Sequence, residues 1–346
     1  MKTNFPIDLV YLWVDGNDPK WIAKKNNAMR AAGRPVIREA VANERFEQFD
    51  ELKYSLRSAE KFAPWINHIF IVTDNQIPAW FKKNPRVTIV DHTEIIPKKY
   101  LPTFNSSCIE LFLHKIPGLA EHFLFANDDF FFGRPVSPDF FFNSDGNPIV
   151  IMQELKNPKR VYKLGRDAIP KAGNFPQARA NAMKFAYDRT GIKFNLRFRH
   201  AIEPMRKSYL ARNIDGADYD EFMRTTATTF RENEMIQRIV FPLLDYGRGQ
   251  NDIVYSCSLP SGARTHYKKY ISPRIISILH QVGCRIGILQ KDVVDSSTKK
   301  SILKQLHKYK PKVFCLGYMA LYSDDMRKQV IEHLEKTFPK KLEFEK

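Results

Sequence analysis

The feature that most constrains the fold of this chain is an apolar run that ends abruptly in three polar residues. Phe123 to Ala126 are all apolar, and Asn127, Asp128 and Asp129 follow directly. Such a run predicts a short buried strand, and open α/β sheets bind ligands where their strands end. The two carboxylates are therefore predicted to lie where a site is expected.

Two adjacent aspartates are typical of either a metal site or a turn. Their charges repel one another, and a divalent cation placed between them and a phosphate removes that repulsion. Oxygen-only ligands suit Mg²⁺ or Mn²⁺, so Asp128 and Asp129 are predicted metal ligands. An exposed Asx turn explains the same residues without a ligand. If the strand continued through them, only one carboxylate would touch the metal directly.

Composition narrows the class of protein. The chain has 346 residues, 43% of them hydrophobic, which suits one large α/β domain or two smaller ones. A formal net charge of +17 predicts attraction to polyanions such as nucleotides, phosphorylated glycans or an acidic bilayer. There is no signal-peptide pattern or membrane-spanning apolar stretch, so the sequence predicts a cytoplasmic protein or one peripheral to the inner face of the cell membrane. The four scattered cysteines are predicted to be reduced thiols.

The first strand is followed by a turn that is suited to anions. Ile7–Val14 is rich in β-branched and aromatic residues, and the next five residues stop the strand. We expect Gly16 to permit a positive φ and either Asn17 or Asp18 to cap a helix that begins at Pro19. A strand, a glycine turn and a helix N-terminus form a phosphate cradle in many proteins, which makes Asp15 and Gly16 candidate substrate contacts. Many α/β proteins begin this way without binding a ligand there.

The next elements predict a mainly parallel sheet. Apolar spacing predicts a helix over Glu44–Phe62, and Arg57 on its polar face is a candidate phosphate ligand or part of a solvated stripe. Ile69–Asp74 and Val87–Asp91 read as two further strands. Strands that alternate with helices predict an α/β fold whose sheet is covered by helices.

A short helix is predicted before the acidic strand. Asn105 or Ser106 can cap it, and Ser106 and Glu110 then share one face. Capping alone explains the serine, whereas a shared polar face close to the aspartates makes Glu110 a candidate catalytic residue.

The second half of the chain contributes basic residues. Lys156–Gly173 is basic and irregular, so we predict a boundary there between parts 1–155 and 156–346. His200 is predicted to precede a helix begun by Pro204, and its basic neighbours should favour its neutral form, which can act as a base. Those neighbours are Arg197, Arg199, Arg206 and Lys207.

Two further basic elements are predicted in this half. A helix starting at Phe230 would place Arg231 near its N-terminus, where it can bind an anion. Thr298–Lys310 is predicted to be a core-packed helix with a solvated basic face or, as an alternative, a helix lying on an anionic membrane.

In order and content these motifs resemble the Stealth family of sugar-1-phosphate transferases, which includes bacterial capsule polymerases and the animal enzyme that modifies lysosomal glycoproteins. Ile7–Pro19 resembles the first conserved block, and the stretch from Asp50–Ser58 to Asn127–Asp129 resembles the second. His200–Tyr209, followed by Phe230–Arg231, resembles the third. The resemblance covers most of the chain.

The fourth block departs from the family pattern. The family usually ends this strand in a Cys-Ile-Asn-Asp-like sequence, whereas Cys315–Tyr318 carries no carboxylate. The following helix and Phe338–Glu345 fit the pattern. A metal ligand or substrate contact is therefore expected either to be missing or to be supplied by another residue, with Asp324 and Asp325 as candidates.

The resemblance implies a fold and an activity. It implies a glycosyltransferase-A-like nucleotide-sugar fold, with the nucleotide-sugar and metal part in 1–155 and a more helical part in 156–346 that completes the site. The donor would be a UDP-sugar and the acceptor a hydroxyl of a capsular or cell-surface oligo- or polysaccharide. A hexose- or N-acetylhexosamine-1-phosphate would be transferred with release of UMP.

The resemblance also implies roles for residues. Asp128 and Asp129 would hold Mg²⁺, and His200 would be the general base, with Glu110 or Asp18 as alternatives. The substrate and its phosphates would be bound by residues from both halves of the chain, namely Asp15, Gly16, Arg57, Asn105, Ser106 and Arg231.

Two other functions remain open at this stage. A metal-dependent glycosyltransferase would attack carbon instead and release UDP. A weakly active or non-catalytic relative would bind glycans, an anionic membrane surface or capsule-assembly proteins. Nucleic acid is not expected as a partner, because the aromatic residues sit in apolar runs and not among the basic ones.

Overall fold

The computed structural model describes residues 4–33, 36–154, 174–192, 196–214, 219–247, 254–257, 292–294 and 302–346. The predicted boundary at Lys156–Gly173 lies outside the described residues. The strands are β1 Ile7–Leu12, β2 Ile69–Thr73, β3 Val87–Asp91, β4 His122–Asn127, β5 Phe130–Phe132, β6 Ile149–Glu154, β7 Leu196–Phe198, β8 Glu203–Arg206, β9 Val254–Cys257, β10 Val293–Val294 and β11 Val313–Cys315.

A five-stranded sheet forms the centre of the molecule, with strand order β3-β2-β1-β4-β8. The first four strands are parallel, and β8 runs antiparallel to β4 at the edge. Strands β1, β2 and β3 follow one another towards one edge of the sheet, and β4 lies on the other side of β1. The carboxyl ends of β1 and β4 therefore flank the point where the topology reverses, which is where α/β sheets open a crevice.

The central strands are apolar because both faces of the sheet are covered. Leu9 and Leu124 are paired across β1 and β4 and belong to the same buried cluster as Leu56. The next pair, Val10 and Phe125, lies in a second buried cluster. This alternation with a period of two confirms the predicted α/β class with helices on both faces.

Two three-stranded sheets extend the core, with orders β10-β11-β5 and β7-β6-β9. Strand β5 begins at Phe130, directly after the acidic pair Asp128 and Asp129. Strand β11 runs antiparallel to β5. The late strands β8 and β11 thus complete sheets that the first half of the chain begins. In this way segments from both halves reach the carboxyl end of β4.

The helices are α1 Pro19–Ala31, α2 Arg38–Val41, α3 Glu51–Phe62, α4 His92–Ile95, α5 Ser106–Glu110, α6 Asn174–Thr190, α7 Lys207–Ile214, α8 Tyr219–Thr226, α9 Val240–Gly247, α10 Ile302–Tyr309 and α11 Asp324–Thr337. Asp18 caps α1, accepting a hydrogen bond from the Lys20 amide at 2.9 Å, as predicted. Of the predicted basic segment, residues 302–309 are helical, and Ile302 and Leu306 are buried in the core. Within the described ranges no helix combines the length and the apolar character needed to cross a bilayer.

Three predicted helix starts were wrong. Helix α3 begins at Glu51 and not at Glu44, because Asp50 adopts a left-handed conformation (φ 64°) that interrupts a right-handed helix. Pro204 lies in β8, an edge strand where a missing amide donor is tolerated, so the helix after His200 starts at Lys207.

The third wrong prediction is the helix start at Phe230, which was expected to place Arg231 near a helix N-terminus. The chain before Val240 is irregular, because the Thr226 side chain bonds both the amide and the carbonyl of Ile236 and replaces helical hydrogen bonds. Arg231 therefore lies in a loop and not at a helix N-terminus.

Candidate active site

A cavity of about 160 Å³ lies at the carboxyl ends of β1 and β4, where the topology reverses. Residues from the first half of the chain form most of its wall, and the loops around Arg231 and Tyr318 complete it. The polar and aromatic residues that line it include Trp13, Trp21, Arg45, Phe46, Gln48, Glu51, Asp74, His92, Phe104, Ser106, Asp128, Asp129, Arg231 and Tyr318.

The predicted acidic pair lies in this cavity. Asp128 and Asp129 occupy the short connection between β4 and β5. The Gln48 side-chain amide donates to Asp128 Oδ2 at 2.8 Å, and the Cys315 thiol donates to Asp129 Oδ2 at 3.3 Å. Asp129 Oδ1 is buried and has no hydrogen-bond partner among the described residues. One carboxylate oxygen is therefore left for a ligand.

A third carboxyl group, that of Glu51, crowds this pair. Burial raises the pKa of Asp128 well above its usual value, and the charges of Asp129 and Glu51 raise it further. Burial also raises the pKa of Asp129, although His200 and the Cys315 thiol act in the opposite direction. Burial raises the pKa of Glu51 to about 7. The three carboxyl groups would therefore all be ionised only if a positive charge, such as a bound cation, lay next to them.

These residues fit the predicted divalent cation. In the described part of the chain, no group of three or more His, Cys, Asp or Glu side chains is arranged to hold a metal by itself. Mg²⁺ commonly binds through one or two carboxylates together with substrate phosphates and water, which an acidic pair beside a phosphate site provides. Metal binding by Asp128 and Asp129 stays a prediction, supported by the unpartnered Asp129 oxygen.

The acidic cluster makes the stability of the metal-free protein depend on pH. The pKa of Glu51 is about 7 in the folded protein, against an ordinary value of 4.5. Between these values the folded state holds a proton that the unfolded state has released, so the free energy of unfolding decreases as pH rises from 4.5 to 7. We expect Glu51 to contribute a decrease of the order of 3 kcal/mol, measured by denaturant unfolding in EDTA.

The matched variant is Glu51→Gln, which is uncharged at every pH. It should show a smaller decrease over the same pH range, and Mg²⁺ at pH 8 should restore stability to the original protein. An unchanged pH slope in the variant would contradict the assignment to Glu51. No response to Mg²⁺ would count against the metal site.

Two arginines form the cationic side of the cavity. Arg231 is only 8% exposed, and its guanidinium donates to Ser106 Oγ at 2.5 Å. Burial, followed by repulsion from Arg45, lowers the pKa of Arg231 to about 10. The Nε atoms of both arginines are buried without a partner among the described residues. Two crowded guanidinium groups are a fitting site for a phosphate anion.

Arg45 and Tyr318 were not predicted to belong to the site. Arg45 donates to the Tyr318 hydroxyl at 3.1 Å, and its guanidinium also lies 5.7 Å from the Tyr318 ring. Arg45 ends a single 3-10 turn, Asn43–Arg45, and Tyr318 lies in the connection that follows β11. Only their convergence in space brings them to the cavity.

An aromatic wall also lines the cavity. The Trp21 ring is 4.9 Å from that of Phe46 and 5.4 Å from that of Phe104, centre to centre. Asp74, at the end of β2, pairs with Lys24 at 2.5 Å and lies 3.8 Å from His92 Nδ1. Rings beside fixed polar groups suit a nucleoside, with a base against the rings and a ribose near the carboxylate.

The structure does not place Arg57 in the cavity. Its guanidinium forms a two-point ion pair with Glu345 and donates to the Phe338 carbonyl at 3.0 Å. Both side chains of the ion pair are buried, at 9% and 2% exposure. Arg57 therefore fastens the C-terminal segment to helix α3.

We expect Arg57→Ala to destabilise the protein without altering substrate binding. The substitution leaves the Glu345 carboxylate buried without a charged partner, a change that typically costs about 3–5 kcal/mol. Denaturant unfolding measures the loss. Lys61→Ala serves as the control, because Lys61 is on the same helix and its bond to the Thr337 carbonyl is exposed. Equal losses in the two variants would contradict a buried ion pair.

The predicted residues of the N-terminal turn, Asp15, Gly16 and Asp18, stabilise the local backbone conformation. Asp15 Oδ1 accepts from the Asn17 amide at 2.9 Å, and Asp18 caps α1 while accepting from the Gln76 side chain at 3.0 Å. Gly16 does not have the positive φ that was expected. It is required because a Cβ there would lie 2.4 Å from the carbonyl oxygen of Phe46.

Two predicted residues of helix α5 are committed to other contacts. Asn105 caps the helix, accepting from the Ser107 amide at 3.1 Å and donating to the Thr226 carbonyl at 3.0 Å. Glu110 pairs with Arg238 at 2.7 Å, and burial raises its pKa. Of the predicted polar face, Ser106 alone lines the cavity.

His200 lies next to the acidic pair but outside the cavity wall. Its ring meets that of Phe130 edge-on at 4.8 Å, and its electrostatic interaction with Asp129 opposes the effect of burial on the pKa of that carboxyl. The expected basic neighbours are engaged elsewhere: Arg199 donates to the Val293 carbonyl, and Arg206 pairs with Glu121 at 3.0 Å. The side chain of Arg197 lies outside the described residues.

The candidates for a replacement carboxylate lie away from the cavity. Asp324 is in the exposed first turn of α11 and pairs with Arg327 at 2.8 Å, and Asp325 accepts from Gln329 at 2.7 Å. The segment after Cys315 contributes Tyr318 to the cavity instead.

Fold and site together define an α/β enzyme whose cavity sets carboxylates against guanidinium groups, an arrangement suited to phosphate-containing substrates. Models of Stealth conserved regions 1 and 2 match residues 5–33 and 45–150. Capsular polysaccharide phosphotransferase LcbA of Aeromonas hydrophila is 36% identical over 278 residues, covering 77% of this chain and 74% of LcbA. Capsular polysaccharide phosphotransferase fcs1 of Haemophilus influenzae is 35% identical, covering 79% and 76%.

This chain therefore belongs to the Stealth family, and it is an enzyme of the phosphotransferase class. Its resemblance to the third and fourth blocks lies beyond the two matched regions and stays a prediction. Among solved structures, the galactosyltransferase LgtC in complex with donor and acceptor sugar analogues is similar at a TM-score of 0.42 and 9% identity, over 96% of this chain and 95% of that chain.

Proposed function

We propose that this protein transfers a sugar-1-phosphate from a UDP-sugar to a hydroxyl of a capsular or cell-surface polysaccharide and releases UMP. The observation that carries the proposal is one cavity that is lined both by Asp128 and Asp129 and by Arg45 and Arg231. Such a cavity suits a diphosphate that needs a cation on one side and direct hydrogen bonds on the other. The names of the relatives LcbA and fcs1 support a capsular polysaccharide as acceptor.

Positioning and charge neutralisation account for most of the catalysis in such a transfer. Mg²⁺ held by Asp128 and Asp129 would neutralise charge on the diphosphate. Arg231, held by Ser106, and Arg45, held by Tyr318, would bind phosphate oxygens. The aromatic wall formed by Trp21, Phe46 and Phe104 would hold the nucleoside.

The reaction forms an O–P bond between the acceptor hydroxyl and the phosphorus next to the donor sugar. The bond from that phosphorus to the oxygen bridging the two phosphates breaks, and UMP leaves. His200 is the base that we propose for the hydroxyl proton, because Glu110 is paired with Arg238 and Asp18 caps a helix. The anomeric carbon keeps its bond to oxygen, so the sugar retains its configuration.

A nucleotide-release assay tests the proposal. Purified protein, Mg²⁺, a panel of UDP-sugars and short capsular oligosaccharides are incubated, and the nucleotides are separated. UMP that forms only with acceptor present is the expected result. UDP that forms only with acceptor would establish a glycosyltransferase and overturn the proposal. Binding of UDP-sugar without either product across the panel would favour the non-catalytic reading.

A further inference from the structure

Two consecutive hydrogen bonds connect the residue that follows β1 to the acidic pair. The Trp13 indole nitrogen donates to Gln48 Oε1 at 2.9 Å, and the Gln48 side-chain nitrogen donates to Asp128 Oδ2 at 2.8 Å. All three side chains line the cavity. Because Trp13 directly follows Leu12, the last residue of β1, this connection joins the end of β1 to the end of its neighbour β4.

The direction of the two hydrogen bonds is fixed by their chemistry. An indole N–H can only donate, so the Gln48 side-chain oxygen must face Trp13. The amide nitrogen then faces Asp128, whose carboxylate can accept. A flipped amide would place its NH₂ group against the indole N–H and its oxygen against the carboxylate, and both contacts would be repulsive. Trp13 therefore selects the orientation of Gln48 that donates to Asp128.

The backbone holds Gln48 in place from both sides. Two residues before it, the Phe46 carbonyl accepts from the Gly16 amide at 2.9 Å. One residue after it, the Phe49 amide donates to the Glu51 carboxylate at 2.6 Å, at the start of α3. The segment that carries Gln48 is thus tied both to the turn after β1 and to helix α3, which suits a residue that has to hold another side chain in position.

The donor to Asp128 is neutral, and its neutrality suits a cation site. A lysine or arginine at this position would also orient the carboxylate, but it would cancel the charge that attracts a divalent cation. An amide orients the carboxylate and favours its ionised form without cancelling that charge. The Cys315 thiol, which donates to Asp129, is also neutral but is a weaker donor. Gln48 is therefore the stronger of the two neutral groups that orient the acidic pair.

We propose that Gln48 and Trp13 are positioning residues that hold Asp128 in the orientation in which it binds the divalent cation, with Trp13 acting through Gln48. The inference rests on the proposed function, because it specifies how the proposed metal site is held. It assigns a role in metal affinity to two side chains that do not themselves supply a charge. Hydrogen bonds to metal ligands commonly contribute about 10–100-fold to metal affinity or activity.

The test measures Mn²⁺ binding to the full-length protein by water-proton relaxation in the absence of nucleotide, so that no turnover is involved. Gln48→Met keeps the length of the side chain but removes the amide, and we expect it to raise the Kd for Mn²⁺ about tenfold or more. Trp13→Phe keeps an aromatic ring and removes only the N–H, so its effect should be smaller. The double variant should bind Mn²⁺ no more weakly than Gln48→Met alone, because Trp13 acts through Gln48.

Gln329→Met is the matched control, because it removes a hydrogen bond of the same type, 2.7 Å long, from Asp325 on the exposed side of α11. Its Kd for Mn²⁺ should equal that of the original protein. An unchanged Kd in Gln48→Met, an equal loss in Gln329→Met or additive losses in the double variant would overturn the inference.

A kinetic readout separates positioning from a general structural defect. In Gln48→Met the Mg²⁺ concentration that gives half-maximal UMP release should rise, and saturating Mg²⁺ should restore kcat. A kcat that saturating Mg²⁺ does not restore would indicate structural damage and would overturn the positioning role. If the original protein bound Mn²⁺ but released no UMP, the proposed function would fail, while the Mn²⁺ affinities of the variants would still decide the role of Gln48.

Discussion

Asp128→Asn and Asp129→Asn should each lower kcat by about a thousandfold or more, the loss expected when several kcal/mol of charge stabilisation at the phosphates disappears. The aspartates end the strand at the topological switch point, and Asp129 keeps a buried oxygen without a partner among the described residues. Asparagine preserves the size of each side chain but cannot supply the negative charge that holds a divalent cation.

The measurement is acceptor-dependent UMP release with saturating UDP-sugar and Mg²⁺. Asp324→Asn and Asp325→Asn are the matched controls, because these carboxylates are exposed on α11 and should leave kcat unchanged. In EDTA the two active-site variants should be at least as stable as the original protein, because burial raises the pKa of both carboxyls and so disfavours their charged forms. A full rate in Asp128→Asn and in Asp129→Asn would remove the metal assignment.

Arg231→Lys should lower kcat/KM by about a thousandfold, in the range found when an arginine that stabilises a transferring phosphoryl group is lost. Lysine keeps the charge but lacks the planar group that can bond Ser106 and a phosphate at once. Because position 231 is buried, the lysine side chain cannot make up for the lost hydrogen bonds by moving into solvent. Steady-state kinetics with varied UDP-sugar measures the effect.

Arg57→Lys is the control of the same chemical type. It should reduce stability through the ion pair with Glu345 and leave kcat/KM of the folded protein close to normal. The reverse pattern, with a kinetic defect in Arg57→Lys and none in Arg231→Lys, would contradict the phosphate-binding role of Arg231. The comparison separates two arginines that local sequence patterns make equally good candidates.

Several features could be predicted from the sequence because they depend on residues that are near one another in the chain. The apolar runs that became β1 to β4, the cap at Asp18 and the acidic pair after β4 are of this kind. Period-two burial and capping are local rules. The adjacency of Asp128 and Asp129 likewise needed no tertiary information.

Which charged residues face the cavity was decided only by the tertiary structure. Arg57 lies on a helix of the right pattern but is fixed by Glu345, which is 288 positions away. Arg45 comes from a segment predicted to be helical and meets Tyr318 across 273 positions. A cation's partner depends on which loops converge at the end of the sheet, and hydrophobic periodicity carries no information about that convergence.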